Sequence, residues 1–158
     1  MIFTKLKALA LWKYLYLGLV LLFLFLLSST FFLVTVDSRS MEPTLYLGDK
    51  VLVLHKSLVT IETNDILLIY PENDQLNFPL LKRVQALPED LVEIRDEKLY
   101  VNHVFVQRIG KHNAESLSVK LAPNEYFIMG DWSDLSMDSR NFGPISYDEI
   151  KGKVIYIP

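Results

Sequence analysis

The chain has 158 residues, 51% of them hydrophobic and 22% charged, and its mean hydropathy is +0.23. This length allows one domain with a short appendage, and the composition excludes a disordered chain. The net charge of −3 leaves no global basic footprint, so nucleic acid is not an expected partner. Because there is no cysteine, disulfides, thiolate metal sites and a cysteine nucleophile are excluded.

The N-terminal end predicts a membrane anchor. Residues 1–13 carry three lysines and no acid, and residues 14–36 then run for 23 positions without a charge. A helix of that length crosses a hydrocarbon core of about 30 Å, and Trp12, Tyr14 and Tyr16 are typical interfacial aromatics. The lysine bias predicts a single span in the cell (inner or plasma) membrane, surrounded by lipid, with a cytoplasmic N-terminus and residues 37–158 outside.

Two other interpretations of the apolar run are weaker. A cleaved signal peptide has an apolar core of about 7–15 residues. Here the run is longer, and it resumes at Phe31 after the small residues Ser28–Thr30. A buried core helix of 23 residues that is apolar on every face is too long for so small a domain.

Residues 37–158 predict one all-β domain of many short strands. Two-residue polar gaps at 96–97 and 102–103 suit a tight β-meander. Ser146–Glu149 has the pattern of a capping box that opens one short helical turn. Strands are expected at 50–55, 66–70, 78–87, 91–95, 98–101, 104–108, 117–121, 125–129 and 153–157.

Ser40 is a candidate nucleophile, four positions after the apolar run ends at Val36. Pro43 keeps Glu42 out of the α region, so the segment 40–43 is expected to be extended or turned. The Gly-x-Ser-x-Gly motif is absent, which excludes an α/β-hydrolase. A serine nucleophile at this place therefore needs a base from elsewhere in the chain.

Four residues are candidates for that base: His55, His103, His112 and Lys82. The histidines have no metal-ligand spacing, and solvated histidines at a surface are their ordinary interpretation. Lys82 is the better candidate, because it stands among apolar residues, where burial would lower its pKa and let the neutral amine take a serine proton. On local sequence alone, an exposed Lys82–Arg83 charge pair is the commoner arrangement, although neighbours in a strand point to opposite faces.

The segment 130–144 is rich in small, polar and turn-forming residues. Its ordinary interpretation is a polar surface loop, and its acids do not follow the calcium-loop pattern. Ser136 or Ser139 could orient a lysine amine by a hydrogen bond, and Asp138 with Arg140 could hold the loop in shape.

Three motifs, in this order behind one anchor, resemble those of type I signal peptidases, which are membrane-anchored serine proteases. The motifs are Ser40-Met41-x-Pro43-Thr44-Leu45, Lys82-Arg83-Val84, and Gly130-Asp131 followed by Ser136-x-Asp138-Ser139-Arg140-x-x-Gly143. The resemblance implies a signal-peptidase-like folded sheet and removal of N-terminal signal peptides from translocated preproteins. It also implies small substrate side chains ahead of the cut, and neither a metal nor a cofactor.

The same resemblance implies roles for particular residues. Ser40 would be the nucleophile and Lys82 the general base. The Ser38 side chain and the Ser40 backbone N–H would form the oxyanion hole, and Ser136 would orient Lys82. Asp138 and Arg140 would be a salt-bridged structural pair of the last loop.

The sequence departs from the family pattern at several places. Arg39 stands where the family often has Gly, Trp132 where it often has Asn, and Pro88-Glu89-Asp90 where it usually has Pro-Gly-Asp. Only 48 positions separate Lys82 from Gly130, so any second β region between them is small. These departures leave the two catalytic candidates intact and put the substrate range in question.

Several alternatives to a general signal peptidase follow. The chain could be a dedicated pilin or conjugative-transfer peptidase of the same family, or an inactive membrane-anchored peptide-binding relative. A self-cleaving Ser-Lys repressor would carry an N-terminal DNA-binding region, whereas residues 1–36 offer only an anchor. A structural membrane protein would have no use for a lysine in an apolar stretch.

Overall fold

The computed structural model describes residues 2–72, 78–110 and 115–157. The chain divides after Phe32 into two compact units, an N-terminal helical unit and a β unit that begins at Leu33. His112, one of the candidate bases, lies outside the described residues.

Helix α1 spans Ile2–Thr30. Within it, Trp12–Thr30 is long and apolar enough to cross a membrane, and none of this stretch is buried within the protein. The sequence predicts an anchor that continues to Val36, but the helix ends at Thr30 and Phe31–Thr35 forms strand β1. Aromatic and β-branched residues dominate Phe31–Thr35, and such residues favour a strand over a helix.

The β unit alternates short strands with turns, and the all-β prediction is confirmed. A strand overlaps each predicted strand, although the last begins at Ile150 rather than Lys153. The strands are β2 Lys50–His55, β3 Ile66–Ile69, β4 Leu80–Ala86, β5 Leu91–Arg95, β6 Lys98–Val101, β7 Val104–Arg108, β8 Leu117–Lys120, β9 Glu125–Met129, β10 Ile145–Ser146 and β11 Ile150–Tyr156.

The described residues of the β unit also contain three short helical elements. Helix α2 spans Ser139–Phe142, and 3-10 turns cover Lys56–Leu58 and Tyr147–Glu149. The predicted capping box is confirmed, since Ser146 and Glu149 exchange side-chain to backbone contacts. The sequence did not predict α2 or the two-residue strand β10.

Within the described residues the strands form a seven-stranded sheet and a four-stranded sheet. The first has the order β1-β2-β11-β3-β4-β9-β10 and the second the order β7-β6-β5-β8. The predicted meander is confirmed, because β5, β6 and β7 are antiparallel neighbours. Its two tight turns have positive φ at both central residues, 96–97 and 102–103, as the favoured two-residue hairpin turns require.

Among the described residues, two buried apolar clusters include side chains of β4 and β9. One joins Val84 on β4 to Leu67, Ile128 and Ile150 of the seven-stranded sheet. The other joins Val92 and Leu99 of the four-stranded sheet to Phe127 on β9. Close packing in the two clusters therefore holds β4 and β9 in place. Lys82 on β4 and the loop that follows β9 are positioned by these two strands.

Candidate active site

Ser40 lies in the turn that joins β1 to β2. Backbone hydrogen bonds tie the two ends of this turn together, from Val36 N to Asp49 O (2.8 Å) and from Gly48 N to Val36 O (2.9 Å). Met41 and Leu45 are buried and anchor the turn in the core. The prediction of a turned segment at 40–43 is confirmed, and Ser40 itself is 6% exposed.

Lys82 is directed to the buried face of β4. The strand alternates between buried and half-buried residues from Leu80 to Val84, so Lys82 shares its face with Leu80 and Val84, and Arg83 lies on the opposite face. Directly across on β3, Lys82 is paired with the buried residue Leu67. With 2% of its surface exposed, Lys82 contradicts the alternative of an exposed Lys82–Arg83 charge pair.

The two candidate catalytic side chains are in direct contact. Lys82 Nζ lies 2.6 Å from Ser40 Oγ, and Ser38 Oγ lies 3.2 Å from the same oxygen. Burial lowers the pKa of Lys82 from 10.5 to about 8, and Asp138 is the first of the charges that oppose this shift. A lysine with such a pKa is able to act as a base near neutral pH.

The described histidines are engaged away from Ser40. His55 Nδ1 accepts a hydrogen bond from the backbone N of Ser57, at 3.2 Å. His103 Nδ1 lies 2.8 Å from Glu93 Oε2 in the four-stranded sheet. Neither histidine takes the place that Lys82 occupies beside Ser40.

The loop after β9 is the third segment that contributes to the site, beside the Ser40 turn and β4. Gly130 has no room for a side chain, because a Cβ there would lie 2.3 Å from Ser136 Oγ and 2.6 Å from Ser40 O. Trp132 N donates to Ser40 O at 3.0 Å. Gly130 thus leaves room for both the Ser40 carbonyl oxygen and the buried Ser136 hydroxyl, which a side chain at this position would displace. The role of Ser136 in orienting Lys82 stays a prediction.

A buried ion pair fixes the shape of that loop. Arg140 Nε and Nη2 each donate to a carboxylate oxygen of Asp138 at 2.8 Å, with side-chain exposures of 1% and 0%. Asp138 also accepts from Gly130 N at 3.0 Å, and Arg140 donates to Ser133 O at 2.8 Å. The two residues therefore close the loop on itself, as a salt-bridged pair would.

A second ion pair, which the sequence did not predict, joins all three motif segments. Arg83 Nε and Nη2 donate to the two carboxylate oxygens of Asp131, at 2.7 and 2.6 Å. Thr44 Oγ1 donates to Asp131 Oδ2 at 2.5 Å and accepts from Arg83 at 3.1 Å. The only signal in the sequence was the presence of all three residues in the motifs, since Asp131 stands 87 positions from Thr44.

A cleft opens beside Lys82. Its volume is about 250 Å³, and it combines Ser38 and Lys82 with an apolar wall. The lining residues are Asp37, Ser38, Phe78, Pro79, Leu80, Lys82, Leu135 and Met137. In the described part of the sheet, β9 pairs with β4 only from Arg83 onward, so the edge of Leu80–Lys82 on that side is left without a neighbouring strand.

This arrangement is suited to nucleophilic catalysis by a serine with a lysine as its base. A family model described as "Signal peptidase, peptidase S26" matches residues 9–157. The chain belongs to this family.

Its relatives include proteins of plant and bacterial origin. It is 34% identical over 139 residues to thylakoidal processing peptidase 1 of Arabidopsis thaliana, and 33% identical over 121 residues to signal peptidase I of Bacillus licheniformis. The matches cover 77% and 67% of this chain, and 40% and 64% of the two relatives. The chain thus spans less than two thirds of the length of either protein.

The fold is also found in a solved structure. A crystal structure of a signal peptidase I from Enterococcus faecalis superposes with a TM-score of 0.50 at 23% identity. The match covers 60% of this chain and 97% of the other. The prediction of a signal-peptidase-like β fold is confirmed by this likeness.

Proposed function

We propose that this protein is a membrane-anchored serine endopeptidase, a signal peptidase I that removes N-terminal signal peptides from translocated preproteins. The observation that carries the proposal is the buried contact of 2.6 Å between Lys82 Nζ and Ser40 Oγ, at a lysine whose pKa is lowered to about 8. Membership of the signal peptidase family supports the same activity.

In the proposed reaction the neutral amine of Lys82 accepts the hydroxyl proton of Ser40, and Ser40 Oγ attacks the scissile carbonyl carbon. The Ser38 hydroxyl and the Ser40 backbone N–H donate to the oxygen of the tetrahedral intermediate. The Lys82 ammonium then returns the proton to the leaving amine, which leaves an acyl group on Ser40. Water, activated by Lys82, hydrolyses this ester and restores both side chains.

The cleft indicates how substrate binds. An extended segment ahead of the cut can hydrogen-bond to the unpaired edge of Leu80–Lys82 and run beside Asp37 and Ser38. The apolar wall formed by Leu80, Leu135 and Met137 suits small apolar side chains. Substrate binding needs no cofactor in this proposal.

The anchor sets the place of the reaction. We propose that α1 spans the cell membrane once, with its lysine-rich end in the cytoplasm and the β unit on the outer side. Substrates that carry their own apolar segment then share one surface with the enzyme. Digestion of residues 37–158 by external protease in right-side-out cells is the expected result, and protection of these residues would contradict this orientation.

The activity is tested with the full chain in detergent. We expect the wild type to cut a generic preprotein at its signal peptide, and a Ser40→Ala variant to leave it intact. A pilin precursor serves as the second substrate. Cleavage of the pilin precursor alone would indicate a dedicated peptidase, and cleavage of neither substrate by the wild type would indicate an inactive relative.

A further inference from the structure

Arg39 and Trp132, the two residues that depart from the family pattern next to the catalytic candidates, contact each other. The guanidinium carbon of Arg39 lies 5.0 Å from the centroid of the Trp132 ring. Arg39 also donates to both carboxylate oxygens of Glu42, from Nε at 2.8 Å and from Nη2 at 3.2 Å. We call Arg39, Glu42 and Trp132 the Arg39 cluster.

The backbone of the same residues encloses the nucleophile. Trp132 N donates to Ser40 O at 3.0 Å, and Glu42 N donates to Arg39 O at 3.0 Å. Side chains and backbone therefore restrain the peptide units on both sides of Ser40. Trp132 supplies one contact of each kind, so this single residue joins the loop after β9 to the Ser40 turn twice.

We propose that the Arg39 cluster positions the oxyanion hole. Arg39 lies between Ser38 and Ser40, the two residues that supply the donors of the proposed oxyanion hole. A glycine at position 39 would leave this stretch with more backbone freedom, whereas Arg39 ties it to two neighbouring segments. Donors of this kind act through being fixed before the charge develops, so their misplacement weakens binding of the transition state more than binding of the substrate.

The cluster acts through other residues, so its members are positioning residues and not catalytic ones. The Arg39 side chain is 59% exposed, and each exposed contact is individually weak. Their joint effect comes from restraining the same segment, residues 38–40, through several contacts at once. This inference rests on the proposed function, because it assumes that Ser38 and Ser40 N–H stabilise a tetrahedral intermediate.

A matched control lies in the four-stranded sheet. The guanidinium carbon of Arg95 lies 4.3 Å from the Tyr100 ring centroid, and Arg95 Nη1 lies 3.6 Å from Glu93 Oε1. This trio repeats the composition of the Arg39 cluster, with an arginine, an aromatic ring and a glutamate. Its loss removes the same kinds of contact from a part of the protein that holds no proposed catalytic residue.

The test compares the full-length wild type with Arg39→Ala, Trp132→Ala, the double variant and Arg95→Ala, on one preprotein. Because removing a whole oxyanion donor costs about 10²–10³ in kcat, we expect displacement of both donors in Arg39→Ala and Trp132→Ala to lower kcat about tenfold, with KM within about twofold. The double variant should lose little more than either single variant, since both remove one unit. Arg95→Ala should keep the wild-type kcat.

A second measurement separates positioning from general damage. A peptide aldehyde that adds to Ser40 forms a tetrahedral oxyanion, whereas the released signal peptide binds without one. We expect inhibition by the aldehyde to weaken in Arg39→Ala by the same factor as kcat, and inhibition by the product peptide to stay unchanged. Arg39→Lys, which keeps a cation beside the ring, should recover part of the loss and serves if Arg39→Ala does not fold.

Three results would overturn the inference while the wild type remains active. The first is a raised KM with unchanged kcat in Arg39→Ala, which would make Arg39 a substrate contact. The second is an equal weakening of inhibition by the aldehyde and by the product peptide. The third is a loss of kcat in Arg95→Ala as large as that in Arg39→Ala. An inactive wild type would instead overturn the proposed function itself, and the inference with it. The activity of the wild type thus distinguishes the two failures.

Discussion

The two sheets differ in what they bury. The core beneath the four-stranded sheet is built from apolar side chains such as Val92, Ile94 and Leu99. Among the described residues, the buried polar and charged side chains all belong to the seven-stranded sheet or to the Ser40 turn and the loop after β9. They are Ser40, Lys82, Gln85, Ser136, Asp138 and Ser139, together with the Arg140 side chain, which is 1% exposed. The described core of the four-stranded sheet is thus apolar, whereas the other region holds polar groups whose burial is costly unless they are hydrogen-bonded.

Within the polar region, two buried cations are accommodated in opposite ways. Arg140 is neutralised by Asp138 through two hydrogen bonds of 2.8 Å and keeps its charge. Lys82 contacts a serine hydroxyl, and no ion pair of the described residues includes it. Without such a partner its charged form is disfavoured, which lowers its pKa to about 8. The structural cation is paired and the proposed base is left unpaired.

The largest expected effect concerns Ser40 and Lys82 themselves. Ser40→Ala and Lys82→Ala should each lower kcat/KM by at least about 10³, because each removes a group on which the other depends. The double variant should lose little more than either single one. The measurement is steady-state cleavage of a preprotein with thermal melting as the check on folding. Activity in Ser40→Ala, or losses that simply add, would contradict the proposed pair.

The next effect concerns the paired cation. Asp138→Asn should lower the free energy of unfolding by about 3–5 kcal/mol, because it leaves Arg140 charged and buried without a counter-charge. The half-buried pair of Arg83 and Asp131, with side-chain exposures of 22% and 14%, is the matched control. Asp131→Asn should cost only about 1–2 kcal/mol by denaturant titration. Equal costs would mean that burial does not distinguish the two pairs.

Removing the unpaired cation, Lys82, should have the opposite effect on the free energy of unfolding. Its native pKa of about 8 lies below the ordinary value of 10.5, so below pH 8 the folded protein must hold a buried charge that the unfolded chain solvates. That penalty is complete below pH 8 and vanishes as pH rises to 10.5. Lys82→Met should therefore raise the free energy of unfolding at pH 7 by about 2 kcal/mol, after allowing for the lost hydrogen bond to Ser40.

The measurement is denaturant unfolding of wild type and Lys82→Met at pH 7 and at pH 10. The gain in the free energy of unfolding for Lys82→Met should be smaller at pH 10 than at pH 7. A variant that is less stable than the wild type at both pH values would contradict this expectation and show that the amine stabilises the fold as a packed and bonded group.

The regular part of the fold followed from the sequence, because period-two alternation and turn residues are local signals. The meander of β5–β7 is the clearest case, since its polar gaps fixed both turns. Strand β1 was missed because its apolar residues continue the run of the anchor, and hydropathy does not mark where a helix ends. Helix α2 and strand β10 were missed because four and two residues are too short for a periodic pattern.

The site was predictable only in part. Local sequence alone favoured an exposed Lys82, although the apolar residues around it made it the better candidate base, and the resemblance to a family implied the same role. The contact between Arg83 and Asp131 spans 48 positions and depends on how β4 and the loop after β9 are brought together. The contact between Arg39 and the Trp132 ring has the same cause. Pairings of this kind are decided by tertiary structure, which periodicity and turn chemistry do not report.

The smallest expected effect tests what lowers the pKa of Lys82. Its neutral form is the active base, so kcat/KM should rise with pH through about 8 and fall below it. Val84 is fully buried on the same face of β4. Val84→Thr places a hydroxyl near the amine with little change in volume, which should ease desolvation and move the acid limb up by about half a pH unit.

Val92→Thr makes the same substitution at a fully buried position under the four-stranded sheet. It should destabilise the protein to a similar degree and leave the acid limb unmoved. If both variants shift the limb, or neither does, desolvation by the residues around Lys82 is not what sets its pKa.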